Sequence, residues 1–97
     1  MVQHVVLFKL KPETTDDERA AMCRALGDLG TQVPGILDIS AGINFSNRNQ
    51  GFDVALVVKF VDRDALEVYL PHPAHRGAVE EFVRPFMQDV IVVDYDI

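Results

Sequence analysis

Apolar and polar residues alternate along four stretches of the chain, and a period of two with many β-branched residues is typical of β-strands. The first stretch covers residues 2–10, and the second covers 37–45, where one side is polar or small. The third runs from about 53 to 61, and the last covers 89–96. The side of each strand that we expect to face helices carries Val2, His4, Val6, Phe8 and Leu10; Leu37, Ile39, Ala41, Ile43 and Phe45; Val54, Leu56, Val58 and Phe60; and Val90, Val92 and Asp94.

Capping residues and helical spacing predict a first helix over about 16–29. Thr15 and Glu18 match a capping box, and Gly30 is suited to end the helix. Later in the chain, Asp62 is suited to cap a short helix that contains Tyr69.

Two prolines in the segment Pro71-His72-Pro73 should interrupt that short helix. A further helix then carries apolar residues at helical spacing from Val79 to Phe86, and Pro85 should distort its end. The order strand, helix, strand, strand, helices, strand is the split βαβ or ferredoxin-like pattern. We therefore expect an α+β fold with a four-stranded antiparallel sheet in the order 4-1-3-2 and helices on one face.

The second face of this sheet is too apolar to be left in water. Exposed apolar patches of this extent usually mark an interface, so we expect a homodimer that packs sheet against sheet. The residues that make this face apolar are Val5, Leu7, Ala55, Val57, Val61, Ile91 and Val93.

Composition narrows the class of protein. The 97 residues allow one domain, residues 1–97, and 9 Lys and Arg against 15 Asp and Glu give a net charge of -6. This sign argues against nucleic acid or an anionic membrane as a partner. No apolar stretch approaches the roughly 20 residues of a membrane span. The single cysteine, Cys23, cannot form an internal disulfide, so we expect a cytoplasmic protein in which it is a core thiol.

His4 and Asp94 break the apolar pattern of their strands. The first and last strands are antiparallel neighbours in the expected order, so these two residues should approach each other under the helices. An imidazole and a carboxylate at the edge of a core are costly unless they pair. The pair can be a structural hydrogen bond or part of a reactive site, and the pattern leaves both open.

Tyr69 and His75 can converge because the prolines between them break the helix. If His72 caps the new helix and Pro73 is its first residue, His75 falls in the first turn. The positive helix end there disfavours imidazolium, so His75 is a candidate general base and Tyr69 a candidate hydrogen-bond donor to a carbonyl. Alternatively, the tyrosine is a core residue and a histidine is a cap. His72 and His75 could also serve a metal, but Pro73 spoils regular helix geometry between them, and we expect no metal site.

Several segments together resemble the stress-responsive dimeric α/β-barrel (Dabb) family over nearly the whole chain. The matching segments are His4-Val5-Val6-Leu7-Phe8-Lys9; Pro34-Gly35-Ile36; Asn44-Phe45-Ser46 with Arg48 and Gly51-Phe52-Asp53; Tyr69 followed by His72-Pro73-Ala74-His75; and Val92-Val93-Asp94-Tyr95. The resemblance implies a ferredoxin-like subunit whose sheet packs on that of a second copy.

The resemblance also implies a possible reaction, because a plant cyclase of this family closes a linear polyketide by aldol chemistry with a tyrosine–histidine pair. Those roles would fall on Tyr69 and His75, with Asp94 supporting the histidine and His4 lining the pocket. The cyclase presents an aromatic hydroxyl from its first helix where this chain has Leu26. The full set of expected ligand-contacting residues is His4, Val6, Phe8, Leu26, Leu56, Val58 and His72.

Three functions remain open from the sequence. The first is a cofactor-independent lyase or cyclase that acts on a polyketide-like or aromatic carbonyl compound. The second is a non-catalytic, stress-associated binding or structural dimer. The third is a cofactor-independent monooxygenase, which rests on analogy of fold alone. None of the three needs a metal or a cofactor.

Overall fold

A computed structural model describes all of residues 1–97. The chain forms β1 (Val2–Leu10), α1 (Asp16–Gly27), a 3-10 turn (Asp28–Thr31), β2 (Ile36–Ile43), β3 (Phe52–Phe60), α2 (Arg63–Tyr69), α3 (Pro73–Ala78), a π-helical turn (Val79–Val83) and β4 (Met87–Asp96).

The four strands form one antiparallel sheet in the order β2-β3-β1-β4, which confirms the predicted order. The central strand β1 pairs with β3 on one side and with β4 on the other. Alternate residues of β1 and β3 are buried under the helices, as the period of two predicted. The ferredoxin-like α+β fold is thereby confirmed.

One continuous hydrophobic core lies between the sheet and the helices. Helix α1 packs over β2 and β3, and α2 packs over β1 and β3. The core consists of Val2, Val6, Phe8, Leu10, Met22, Leu26, Leu29, Val33, Val54, Leu56, Val58, Phe60, Ala65, Leu66, Tyr69 and Val83.

Helix α1 begins as predicted but ends earlier. Thr15 Oγ1 accepts a hydrogen bond from the Glu18 amide, and the Glu18 side chain accepts one from the Thr15 amide, so the capping box is complete. The α-helix ends at Gly27 rather than near residue 29, and the 3-10 turn takes over. Leu29 stays in the core because that turn continues the helical path.

Strand β2 differs from its prediction at both ends. Its pairing with β3 shifts register between Ile36 and Asp38, so Leu37 turns outward and is exposed. Phe45 lies beyond the end of the strand, with its side chain in solvent. In the sequence, the alternation of apolar and polar residues continues through Leu37 and Phe45. In the structure, the bulge changes the direction of the Leu37 side chain, and Phe45 lies in the loop after the strand.

The break between α2 and α3 lies at Pro71-His72-Pro73, as predicted. His72 is the N-cap of α3, and Pro73 is its first residue. The helix predicted to continue to Phe86 is regular only as far as Ala78, where the π-helical turn follows.

The second face of the sheet is open, and β4 is exposed on both faces. Ile91 and Val93 are exposed on the open face, and Val90 and Val92 are exposed on the helical side, which the helices leave uncovered. No helix here has the length and apolar character needed to cross a membrane.

Candidate functional site

His4 and Asp94 face each other across the β1–β4 ladder and are hydrogen-bonded. A carboxylate only accepts, so His4 Nδ1 carries the proton and donates to Asp94 Oδ1. The His4 side chain is 5% exposed and the Asp94 side chain 40%, so the pair joins the interior to the surface. This contact is the one predicted from strand order.

Tyr69, the last residue of α2, has no exposed surface. Its ring lies edge-on to Phe60 and to His4, with centroid distances of 5.1 and 6.0 Å. The hydroxyl oxygen is buried and has no hydrogen-bond partner. Burial raises the pKa of Tyr69 to about 12, so the hydroxyl keeps its proton at neutral pH and can donate.

His75 lies against Tyr69, with ring centroids 4.4 Å apart. Its Nδ1 is 2.9 Å from the Leu70 carbonyl oxygen. Because a carbonyl only accepts, Nδ1 carries the proton, and Nε2 of the neutral ring has a free lone pair. Burial lowers the pKa of His75, the bond to Leu70 partly opposes this, and nearby His4 and His72 lower it further.

His72 is held by the start of α3. Its Nδ1 accepts a hydrogen bond from the Ala74 amide at 3.1 Å. Its position as N-cap places His75 in the first turn, as the sequence predicted.

The structure brings His4, Tyr69 and His75 together but places Asp94 differently from the expectation. The resemblance implied that Asp94 supports His75, whereas its carboxylate is bonded to His4. His75 is held instead by the carbonyl of Leu70. The correction follows from register, since Asp94 is directly opposite His4 in the sheet.

Five of the expected ligand contacts lie in the closed core. They are at most 6% exposed and pack in one cluster with Tyr69, so contact with a ligand stays a prediction for them. These residues are Val6, Phe8, Leu26, Leu56 and Val58.

Two cavities lie near the site. A groove of about 590 Å³ separates α1 from α3, with Ala25, Ala74 and Gly77 among its lining residues. A cleft of about 240 Å³ between α2 and β4 is bordered by Asp94 and Leu66. A ligand approaching Tyr69 would have to part the side chains that cover it.

Sequence reasoning missed two groups at the site. The Leu70 carbonyl orients His75. Every residue has a backbone carbonyl, so the sequence does not mark this one as part of the site. Phe60 packs on Tyr69, yet its position in the alternating pattern marked it only as a core residue.

No three or more histidine, cysteine, aspartate or glutamate side chains are grouped so that they could hold a metal ion. Cys23 is partly buried, and its burial raises the pKa of the thiol, with Arg24 opposing this. A thiol with a raised pKa is a weak nucleophile at neutral pH.

The fold and the paired polar residues define a ferredoxin-like α+β protein with a histidine–tyrosine cluster under its helices. The family model described as Stress responsive A/B Barrel Domain (Dabb) matches residues 2–97, and the chain belongs to this family. An uncharacterized protein of Streptomyces coelicolor is 36% identical over 98 residues, covering 99% of each chain. Olivetolic acid cyclase of Cannabis sativa is 25% identical over 96 residues, covering 97% of this chain and 94% of the cyclase.

Solved structures share the fold. A dimeric ferredoxin-like protein from Bacteroides fragilis has a TM-score of 0.86 at 26% identity, covering 99% of this chain and 95% of the other. Hydroxynitrile lyase from Passiflora edulis has a TM-score of 0.85 at 20% identity, covering 99% and 92%. An antibiotic biosynthesis monooxygenase has a TM-score of 0.76 at 21% identity, covering 100% and 98%. The last two likenesses show the fold alone.

Proposed function

We propose that this protein is a homodimer that binds a small carbonyl compound beside Tyr69 and His75 and catalyses acid–base chemistry of the lyase or cyclase type. The observation that carries the proposal is the buried Tyr69 hydroxyl, which has no partner and lies next to a histidine with a free Nε2. A buried donor without a partner is destabilising, and a substrate oxygen would satisfy it.

The proposed reaction begins when His75 Nε2 removes a proton from the carbon next to the substrate carbonyl. The electron pair of the broken C–H bond moves to the carbonyl oxygen, where the Tyr69 hydroxyl donates a hydrogen bond to the enolate. The enolate carbon then attacks a second carbonyl of the same molecule, and the new C–C bond closes a ring. The His75 imidazolium returns its proton to the resulting alkoxide.

The protonation states at the site suit these two roles. A tyrosine with a pKa of about 12 stays neutral and donates. The pKa of His75 is lowered from its ordinary value of about 6.5. The ring therefore stays neutral, and can accept a proton, at pH values somewhat below 6.5. In this scheme the hydrogen bond to Asp94 fixes the His4 ring beside Tyr69. The two residues form a polar side of the site.

The name of one similar protein supports this class of reaction, because a relative that matches nearly the whole chain is a cyclase. The absence of an aromatic hydroxyl at Leu26 argues for a substrate with fewer polar groups on the α1 side.

We also propose that the two sheets of the dimer pack face to face. Three similar structures are described as dimeric. The open face has apolar side chains at its centre, and an added Cβ at Gly42 in β2 would have open space around it. A glycine within a strand often marks a close approach of another backbone.

A non-catalytic dimer is the second candidate. The observation that favours it is the closed core around Tyr69, whose ring has no exposed surface. In this case His4, Asp94, Tyr69 and His75 would serve only the packing of the interior.

Turnover of linear polyketide thioesters and aromatic hydroxynitriles, followed by NMR, tests the proposal. We expect His75→Ala and Tyr69→Phe each to lower kcat/KM by about 100-fold or more, the usual loss of a general base or an oxyanion donor. Tyr95→Phe, which changes the other tyrosine, should leave the rate unchanged. The wild-type rate should also persist below pH 6.5 because the pKa of His75 is lowered.

Equal rates in all three variants would contradict the catalytic roles. Fragment soaks that place no compound beside Tyr69, together with no turnover of either substrate class, would favour the non-catalytic dimer.

A further inference from the structure

The N-cap of α3 is a nitrogen that can be protonated. Helices usually begin with the side-chain oxygen of Ser, Thr, Asp or Asn, which accepts a hydrogen bond from an amide of the first turn. Here the acceptor is His72 Nδ1, 3.1 Å from the Ala74 amide nitrogen. A neutral imidazole accepts through one nitrogen, whereas both nitrogens of an imidazolium are donors. The cap therefore exists only while His72 is neutral.

Helix α3 depends strongly on its first turn. It has only six residues, and a helix of that length is not stable through its own hydrogen bonds. Pro73 has no amide proton, so the side chain of His72 satisfies the first free amide of the helix, that of Ala74. The backbone of His72 also accepts from the Arg76 amide.

The same turn carries His75. Its ring position against Tyr69 depends on the backbone path from Leu70 to α3, because its Nδ1 bonds to the Leu70 carbonyl across the proline break. If the first turn opens, the amide of Ala74 loses its acceptor and the ring of His75 loses its fixed place.

We propose that His72 is a proton-sensitive positioning residue, which holds His75 against Tyr69 when neutral and releases the first turn of α3 when protonated. The effect on turnover rests on the proposed function, but the release of the turn does not. Histidine side chains in general change charge between about pH 5 and 8, which sets the two pH values at which the proposal is tested.

Charged and titratable groups of both signs surround this turn. His75 and Arg76 lie on α3 itself, and His4 lies on β1 beneath Tyr69. Across the groove from Pro73, α1 presents Arg24 and Asp28, and Glu81 of the π-helical turn lines the same groove. The positive end of the helix also disfavours an imidazolium at the N-cap. Protonation of His72 therefore replaces an attractive contact with repulsion.

Amide hydrogen exchange of Ala74, measured by NMR at pH 7.5 and 5.5 and corrected for the intrinsic exchange rate, tests the proposal. In the wild-type protein we expect protection to fall about fivefold at the lower pH, the size of the loss of one N-cap. His72→Asn keeps an acceptor that does not titrate, so its protection should be the same at both values. His72→Ala should show low protection at both.

Equal protection of wild-type Ala74 at the two pH values overturns the proposal, and so does a similar fall in His72→Asn. The second outcome would assign the fall to His75 or to another group. The measurement needs no substrate, so a fall in protection that His72→Asn abolishes would uphold the switch even if no turnover is found. If turnover is found, kcat of His72→Asn should lose less than the wild type between the same pH values.

Discussion

The Tyr69 hydroxyl is a buried donor without a hydrogen-bond partner. A buried donor without a partner costs about 1–3 kcal/mol relative to the same site without it. Phe60, in ring contact with Tyr69, shows that this part of the core accepts a phenyl ring. Stability alone would therefore favour phenylalanine at position 69.

Tyr69→Phe should accordingly raise the free energy of unfolding by about 1 kcal/mol, because it removes an unsatisfied hydroxyl and leaves no cavity. Urea unfolding followed by circular dichroism measures the change. Tyr95→Phe is the matched control: Tyr95 is half-exposed in β4, and its hydroxyl change should alter stability little.

A loss of stability of 1 kcal/mol or more in Tyr69→Phe would show that the hydroxyl has a partner in solution. A gain in stability combined with a loss of turnover would be the signature of a residue kept for its chemistry.

At the scale of elements, α3 has a residue that works against its own helix. Gly77 lies within α3, where glycine costs about 0.5–1 kcal/mol relative to alanine. An added Cβ there would meet nothing within 4 Å. Gly77→Ala should therefore raise the free energy of unfolding by about 0.5–1 kcal/mol, measured by thermal and urea unfolding.

Gly35→Ala provides the opposite case. Gly35 has a φ of +85°, and an added Cβ would lie 2.6 Å from the Cβ of Ala65 in α2. This variant should be destabilised. A loss of stability in Gly77→Ala as well would mean that the groove between α1 and α3 is narrower in solution than in this structure.

The elements themselves were largely predictable, because their signals are local. The period of two identified all four strands, and the capping box at Thr15 and the prolines at 71 and 73 marked helix ends correctly. Strand order then followed from the fold class, and with it the contact between His4 and Asp94.

What the sequence could not predict depends on backbone detail. Three such details do not alter the pattern of apolar and polar residues in the sequence. They are the bulge that turns Leu37 outward, the end of α1 at Gly27 and the π-helical turn after Ala78. The same holds for the site: the group that orients His75 is the carbonyl of Leu70, an atom that every residue has.

At the scale of the molecule, the open face of the sheet carries apolar side chains that no helix covers. Val57 lies at its centre, paired with Val5 on one side and with Ser40 on the other. Val57→Asp would place a charge in the proposed interface, where it would have no partner. We expect this variant to elute as a monomer in size-exclusion chromatography with light scattering, while the wild type is a dimer.

Val68→Asp is the matched control, since Val68 is exposed on α2 away from the sheet, and this variant should stay a dimer. Circular dichroism shows whether Val57→Asp is folded. A folded Val57→Asp dimer, or a wild-type monomer at the same concentration, would contradict the face-to-face arrangement.

The order of the strands also governs how a newly made chain matures. β1 lies between β3 and β4, so the first strand to be synthesised can pair on only one side until the final strand arrives. His4 and its partner Asp94 are separated by 90 positions in the chain. A polypeptide still growing on the ribosome thus carries a central strand with one unpaired edge, and His4 still lacks its partner. The cluster of His4, Asp94 and Tyr69 can therefore be completed only after β4 has been synthesised.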